Sequence, residues 1–169
     1  MNASGDRTSP PLGDCAEFAS AIATQRPHRE QHTLDAADRL RHALSTRGIE
    51  ADVSARVKSP RSTRDKMRRQ QVDLEGLHDL CGVRVVVGEI PDCYAVLAIV
   101  HDLWSHLPEA FDDYIAHPKA NGYQSLHTVI VLPCSHTLEV QVRTTRQHRH
   151  AEVGAAAHAR YKRGWHDVE

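Results

Sequence analysis

Two acidic residues stand where a protein could hold a metal ion against a phosphate chain. Glu139 lies in the run TLEVQVRT, and the two-residue period of a strand places it on one face with Gln141 and Arg143. Asp79 stands just before a valine-rich run that is typical of a buried strand. Carboxylates at the ends of neighbouring strands commonly bind Mg²⁺ beside phosphate oxygens. The pair predicts magnesium-assisted phosphate chemistry, and an ordinary exposed strand face is the alternative for Glu139.

A basic segment supplies the positive charge that a polyphosphate requires. Residues 54–70 contain seven Lys or Arg against one Asp. Arg56 and Lys58 alternate along a predicted strand, and a predicted helix after Pro60 carries three more polar or basic residues on one face. These three are Ser62, Lys66 and Arg69. The spacing could wrap a triphosphate without the glycine-rich loop of a P-loop, and a solvated basic helix is the alternative.

Two further stretches place polar residues where a core strand would have apolar ones. Arg84 lies among valines in GVRVVV, where an arginine usually has a partner or a ligand to stack on. The run NGYQSLH puts Tyr123 and His127 at a strand entrance, although β-branched residues are preferred in core strands. Taken singly, Lys119 and Asn121 are also compatible with a plain turn, and His127 with a hydrogen-bonded core histidine.

The elements that must position these residues predict an α+β domain, with a mixed β-sheet of about five strands flanked by helices. Hydrophobic periodicity predicts helices at residues 15–24, 32–46, 61–71, 92–104 and 145–162, with Gly48 as a cap. It predicts strands at residues 49–57, 82–88, 125–133 and 137–144. Residues 1–13 are rich in Ser, Pro and Gly and are expected to be a disordered tail, followed by N-terminal helices over residues 14–48.

Length and composition narrow the classes of function. With 169 residues, a net charge of -1 and 13 histidines, the chain fits one domain and not a generally basic nucleic-acid or membrane-surface binder. The N-terminus does not resemble a signal peptide, and no membrane partner is expected. The four cysteines form no C-x-x-C pair and show no metal-ligand spacing with the histidines. A reduced, cytoplasmic protein is expected.

Six runs together resemble the synthetase domain of the RelA/SpoT family, which makes the alarmones ppGpp and pppGpp. They are RVKSPRSTRDK, HDLCGVRVVV, CYAVLAIVHDLW, FDDYIAHPKANGYQSLHT, EVQVRT and HRHAEVGAAAHARYK, in family order. The resemblance runs from about residue 49 to 162 and implies an alarmone synthetase domain over residues 49–169. It implies a nucleotidyltransferase-like fold and the transfer of pyrophosphate from ATP to the 3′-hydroxyl of GDP or GTP, with release of AMP.

The resemblance also implies a role for each candidate residue. Arg56 and Arg84 would sandwich the adenine of ATP. The ATP phosphates would contact Lys58, Ser62, Lys66 and Arg69. Asp79 and Glu139 would bind Mg²⁺, and Glu139 would also take the proton from the attacking hydroxyl. Tyr123 would stack on guanine, and the other GDP or GTP contacts would be Lys119, Asn121, His127, Gln141 and Arg143.

Some positions depart from the family pattern, and other functions stay open. Cys81 stands where many long members have Arg, and Ala110 replaces the first acid of an acidic motif. Because the hydrolase and regulatory domains of long members are missing from the chain, a single-domain small alarmone synthetase is expected, with its oligomeric state open. The alternatives are a toxin-like relative that modifies an adenosine nucleotide or the 3′ end of tRNA, and an idle nucleotide- or RNA-binding module. The run NGYQSLH favours guanine, and the two acids argue against idleness.

Overall fold

The computed structural model describes residues 15–57 and 81–153, with only the backbone described at residues 15–26 and 57. Its helices are α1 (Cys15–Thr46), α2 (Ile90–Leu103) and α3 (Thr145–Val153), and a 3₁₀ turn covers Pro108–Ala110. Its strands are β1 (Ala51–Val57), β2 (Cys81–Val87), β3 (Ser105–His106), β4 (Asp112–Asp113), β5 (Leu126–Val131) and β6 (Thr137–Thr144). The predicted tail at 1–13, the basic helix at 61–71 and the end of the terminal helix lie outside the described residues.

All six described strands join in one mixed sheet. The order is β1-β2-β6-β5-β3, and β4 also pairs with β5. The pairing of β2 with β6 is parallel, and the other pairings are antiparallel. The predicted α+β class and mixed sheet are confirmed. The sequence did not reveal β3 and β4, because strands of two residues carry no readable period.

The core lies on one face of the sheet, beneath α1 and α2. Leu40 of α1 and Val96 of α2 are fully buried, as are Val85 of β2 and Val140 of β6. Burying a side chain of this size stabilises the fold by about 1.5–3 kcal/mol. Because side chains alternate along a strand, the residues on either side of Val85 in β2 and of Val140 in β6 point to the opposite face. That face is therefore available for polar side chains.

The N-terminal part of the described chain differs from the sequence prediction. A single helix, α1, runs through Pro27, whereas the periodicity predicted two separate segments. Proline costs about 3 kcal/mol relative to Ala inside a helix, and the buried contacts of Leu40 and Leu44 further along α1 offset that cost. The predicted cap is confirmed, since Gly48 follows the helix with φ of 70°. None of the helices within residues 15–57 and 81–153 is long and apolar enough to cross a bilayer.

Candidate active site

Three polar residues form a row across the face opposite α1 and α2. Arg84 of β2 is the register partner of Gln141 in β6, and Gln141 is the register partner of His127 in β5. Paired residues point to the same face, and neighbouring strands are about 4.8 Å apart. The sheet therefore brings together side chains from three separate motifs, all of them predicted from the sequence as site residues.

The carboxylate of Glu139 is held at both oxygens beside this row. Gln141 Nε2 donates to Glu139 Oε2 at 2.8 Å, and His127 Nδ1 lies 3.1 Å from Glu139 Oε1. The side chains of His127 and Glu139 are 15% and 17% exposed. Each carboxylate oxygen can accept more than one bond, so the group can still receive a proton or contact a metal. The predicted strand face of Glu139 and Gln141 is confirmed.

The hydroxyl of Tyr123 completes a chain of polar contacts that ends at Glu139. It lies 2.9 Å from Nε2 of His127. Because a carboxylate only accepts, His127 Nδ1 carries the hydrogen toward Glu139, and Nε2 of a neutral imidazole accepts from the Tyr123 hydroxyl. The order of groups is therefore tyrosine, imidazole, carboxylate.

Aromatic rings form a wall next to this chain. The ring centroids of Tyr114 and Tyr123 are 6.2 Å apart, and that of Tyr114 is 5.4 Å from His127. Lys119 Nζ lies 4.0 Å from the Tyr114 centroid and 5.6 Å from that of Tyr123. Burial, then a hydrogen bond to Asp112, raises the pKa of Tyr114 to about 12, so its hydroxyl stays neutral. Tyr114 had no predicted role, although it stands in the run FDDYIAH.

A tight turn presents Tyr123 to the wall. Gly122 N donates to Lys119 O at 2.7 Å, and Lys119 N donates to Tyr123 O at 3.1 Å. Gly122 has φ of 75°, and a Cβ there would lie 3.0 Å from His150 Nε2. The side chain of Asn121 accepts from Tyr123 N at 3.2 Å, so this predicted nucleotide contact stabilises the turn. The backbone therefore favours glycine here, and a larger residue would also require the His150 side chain to shift.

Arg84 and Arg143 share the carboxylate of Glu152, a residue that was not predicted as part of the site. Arg143 Nη2 donates to Glu152 Oε1 at 3.1 Å and lies 2.8 Å from His148 Nδ1. Arg84 Nη2 lies 3.5 Å from the same oxygen of Glu152. The Arg143 side chain is 2% exposed, so this predicted acceptor contact lies beneath the surface of the site. Both Glu152 and His148 stand in the quoted run HRHAEVG, which was given no role.

The charges in this cluster influence one another. Burial, then Arg143 and Arg56, lower the pKa of Arg84. Burial raises the pKa of Glu152, but Arg84 and Arg143 lower it by more, and the net shift is downward. Burial, then Arg143 and Arg84, lower the pKa of His148. The site therefore keeps a deprotonated carboxylate beside two guanidinium groups.

Gly82, which has no side chain, lies between Arg56 and Glu139 on the polar face. Arg56 of β1 is the register partner of Gly82, and Gly82 is the register partner of Glu139. A Cβ on Gly82 would lie 3.2 Å from the Glu139 carbonyl oxygen. The five other predicted ligands of ATP and metal lie outside the described residues, namely Lys58, Ser62, Lys66, Arg69 and Asp79. Cys81 is buried in the core, on the face of the sheet opposite Glu139.

Sequence comparison relates the chain to much longer proteins. A family model described as "Region found in RelA / SpoT proteins" matches residues 55–166. A GTP pyrophosphokinase from Photobacterium angustum is 41% identical over 148 residues, which are 88% of this chain and 20% of that protein. A probable GTP diphosphokinase RSH3, chloroplastic, from Arabidopsis thaliana is 47% identical over 136 residues, 80% of this chain and 19% of that protein. The chain spans about 20% of the length of these curated relatives.

Comparison of structures finds the same fold in small alarmone synthetases. Small alarmone synthetase 1 from Bacillus subtilis, bound to its product pppGpp, matches with a TM-score of 0.67 and 23% identity over 88% of this chain and 83% of that one. Small alarmone synthetase 2 from Bacillus subtilis matches with a TM-score of 0.66 and 28% identity over 88% of this chain and 84% of that one. The predicted resemblance is confirmed by both comparisons, and the chain belongs to the RelA/SpoT family.

Proposed function

We propose that the chain transfers pyrophosphate from ATP to the 3′-hydroxyl of GDP or GTP, forming ppGpp or pppGpp and AMP. Several relatives carry the name GTP pyrophosphokinase, and one structural neighbour is bound to pppGpp. The observation that carries the proposal is the position of Glu139, which lies on the polar face between the aromatic wall of Tyr114 and Tyr123 and the strands that carry Arg56 and Arg84.

The acceptor nucleotide would bind at the wall of Tyr114, Tyr123 and Lys119. An aromatic ring offers its face to a base, and a lysine beside two rings offers its charge to the phosphates. The chain of contacts from Tyr123 through His127 to Glu139 links the base-binding ring to the carboxylate. A guanine nucleotide bound there would have its ribose near Glu139.

The reaction requires Glu139 to accept one proton. The 3′-oxygen of the acceptor forms a bond to the β-phosphorus of ATP, and its proton passes to the Glu139 carboxylate. The bond from the β-phosphorus to the oxygen bridging it to the α-phosphorus breaks, and AMP leaves with that oxygen. Gln141 and His127 hold the two carboxylate oxygens in place, so the base is positioned before the acceptor arrives.

The donor nucleotide would bind on the β1 and β2 side of Glu139. Arg56 and Arg84 lie on neighbouring strands of the polar face, and the Nε of Arg84 has no hydrogen-bond partner among the described residues. Two guanidinium planes can stack on the faces of an adenine. The phosphates would extend toward Lys58, Ser62, Lys66 and Arg69 in the basic segment.

Magnesium is part of the proposal because its ligand chemistry fits the site. Glu139 offers oxygen ligands on the polar face, and Gly82, its register partner, follows Asp79 by three residues, a span of at most about 11 Å. Asp79 and Glu139 would hold Mg²⁺, which supplies neutralising charge to the phosphate oxygens when bound.

One assay tests the activity and its acceptor. The purified chain is incubated with [γ-³²P]ATP and each nucleoside diphosphate or triphosphate, with and without tRNA, and the labelled products are identified. We expect labelled ppGpp and pppGpp together with AMP, and no product from the matched Glu139→Gln variant. A labelled adenosine nucleotide other than ATP, or labelled tRNA, in place of these products would support the toxin-like alternative. Absence of all transfer would support an idle binding module. Cytoplasmic location stays a prediction.

A further inference from the structure

A second cluster of reactive side chains lies between α1 and the turn that joins β5 to β6. It consists of His32 from α1 and of Cys134 and His136 from the turn. One ligand atom from each residue lies within 4.8 Å of the others. The closest pair is Cys134 Sγ and His32 Nδ1, at 2.9 Å. None of the three belongs to the polar face that carries Glu139.

Rigid elements hold these three side chains in place. Thr33, which follows His32, and Ala36, one turn further along α1, are both buried, which fixes this part of α1 against the core. Leu132 N donates to His136 O at 2.9 Å and Ser135 N donates to Leu132 O at 2.8 Å, so the turn is closed by its own backbone. A site built on fixed elements binds a metal with less loss of conformational freedom than one on a free loop.

The donor atoms suit a borderline-soft cation. A thiolate and two imidazoles are common zinc ligands, and bonds of about 2.0–2.3 Å in a tetrahedron place ligand atoms about 3.3–3.8 Å apart. The three ligand atoms lie within 4.8 Å of one another, so no separation exceeds the upper end of that tetrahedral spacing by more than about 1 Å. Mg²⁺ prefers oxygen ligands, so a metal at this cluster would differ from one at Glu139.

A plain hydrogen bond between Cys134 and His32 does not account for the whole cluster. His136 Nδ1 is buried and has no hydrogen-bond partner among the described residues, which is costly for a polar nitrogen. A metal bound at this cluster would give His136 Nδ1 a partner and would hold Cys134 as the thiolate, the form that ligates metals.

We propose that His32, Cys134 and His136 form a Zn²⁺ site that ties α1 to the β5–β6 turn. His28 is a candidate fourth ligand, because its ring centroid lies 4.4 Å from that of His32 and 6.4 Å from that of His136. A metal at this position would fix the end of the β5–β6 hairpin whose strands carry His127 and Glu139. The site is structural and separate from pyrophosphate transfer.

Cobalt substitution tests the ligand set directly. The metal-free chain is titrated with Co²⁺ under a non-thiol reductant, and its absorption spectrum is recorded. We expect a thiolate-to-cobalt charge-transfer band in the near ultraviolet, strong visible bands of tetrahedral cobalt, and displacement of both by Zn²⁺. The Cys134→Ser variant should lose the charge-transfer band. The His136→Ala variant should bind at least about 100-fold more weakly, since even outer-shell changes cost about 10–100-fold.

Matched variants separate this site from other places where a metal could bind. His42→Ala changes an exposed histidine on the same helix and should leave the spectrum unchanged. Glu139→Gln should also keep the thiolate band, because it changes only the polar face. Circular dichroism of each metal-free variant checks that it folds, and Zn²⁺ should raise the Tm of the parent but not of Cys134→Ser. A cobalt spectrum without a thiolate band, or equal Zn²⁺ affinity in the parent and Cys134→Ser, would overturn the proposal.

Discussion

Tyr123 and Glu139 contact opposite nitrogens of one imidazole. The Tyr123 hydroxyl lies 2.9 Å from His127 Nε2, and Glu139 Oε1 lies 3.1 Å from His127 Nδ1. A single side chain, His127, therefore couples the ring proposed to bind the acceptor base to the carboxylate proposed to accept the proton of the 3′-hydroxyl. A change at Tyr123 should weaken base binding most and shift the Glu139 carboxylate less, because His127 and Gln141 still contact that carboxylate.

Replacing Tyr123 should affect the acceptor far more than ATP. Tyr123→Ala removes a stacking surface worth about 1–3 kcal/mol, and kcat/KM for GDP should fall roughly 5- to 150-fold. Tyr123→Phe keeps the ring but loses the hydrogen bond to His127, which is worth about 1 kcal/mol. Its kcat/KM for GDP should therefore fall about 5-fold. Steady-state kinetics with ATP and GDP varied separately provide the measurement. Equal losses for both nucleotides, with a lowered Tm, would assign Tyr123 to packing alone.

Glu139→Gln should stop pyrophosphate transfer while nucleotides still bind. Loss of a general base typically lowers the rate by about 100- to 10,000-fold. The amide nitrogen of the new side chain would also face a donor from Gln141 or His127, so a modest loss of stability is expected. Single-turnover rates and equilibrium binding of both nucleotides separate the two effects. Turnover close to that of the parent at saturating Mg²⁺ would contradict the assignment.

Glu152→Gln should destabilise the fold. It removes the negative charge shared by Arg84 and Arg143, and Arg143 is 2% exposed. Breaking a buried ion pair costs about 3–5 kcal/mol and a surface pair about 0–1, and Glu152 is 46% exposed. We expect the free energy of unfolding to fall by about 1–2 kcal/mol in urea denaturation. Glu109→Gln, at an exposed position, is the matched control, and an equal effect in both variants would exclude a special role for Glu152.

Stability should decrease on acidification in two stages. The folded-state pKa of His148 is lowered from its ordinary value of 6.5 by burial and then by Arg143 and Arg84, so the unfolded chain binds a proton first as the pH falls. The net pKa of Glu152 is lowered from 4.5, so its contribution is lost at lower pH, as the carboxylate is protonated. Unfolding free energies from about pH 8 down to about pH 3, below the ordinary pKa of 4.5 of Glu152, provide the measurement. His148→Asn should reduce the slope just below pH 6.5, and an unchanged slope would count against this origin.

Gly122→Ala should impair both stability and acceptor use, whereas Gly48→Ala should affect stability alone. Both glycines have positive φ, at 75° and 70°, which costs an alanine about 1–2 kcal/mol. A Cβ at Gly48 meets nothing within 4 Å, whereas at Gly122 it would lie 3.0 Å from His150 Nε2. Melting curves and the KM for GDP compare the two variants. A raised KM in both would show that the effect is not local to the Tyr123 turn.

The local pattern of the sequence predicted most of the elements, because alternation along a strand is set by the backbone itself. The face shared by Glu139 and Gln141 was predicted for that reason. The register that places Arg84 beside Gln141 and His127 could not be predicted in the same way, since it depends on which strands pair. The same limit explains why Glu152 was missed as the partner of two arginines.

The His32, Cys134 and His136 cluster shows the limit most clearly. No metal-ligand spacing is visible in the sequence, because Cys134 and His32 are 102 residues apart. Two short signals were present, namely H-x₃-H at residues 28–32 on a helix and C-x-H at residues 134–136 in a turn. Each is common alone, and only the packing of α1 against the hairpin joins them.

The central strand β6 has a parallel neighbour, β2, on one side and an antiparallel neighbour, β5, on the other. On the proposed assignment, the ATP residues Arg56 and Arg84 lie to the β2 side, and His127 lies to the β5 side. The two halves are encoded by separate stretches of the gene and meet at β6, the strand that carries Glu139. Changes in residues 114–127 could therefore produce enzymes with new acceptors while the donor half and its chemistry are inherited unchanged.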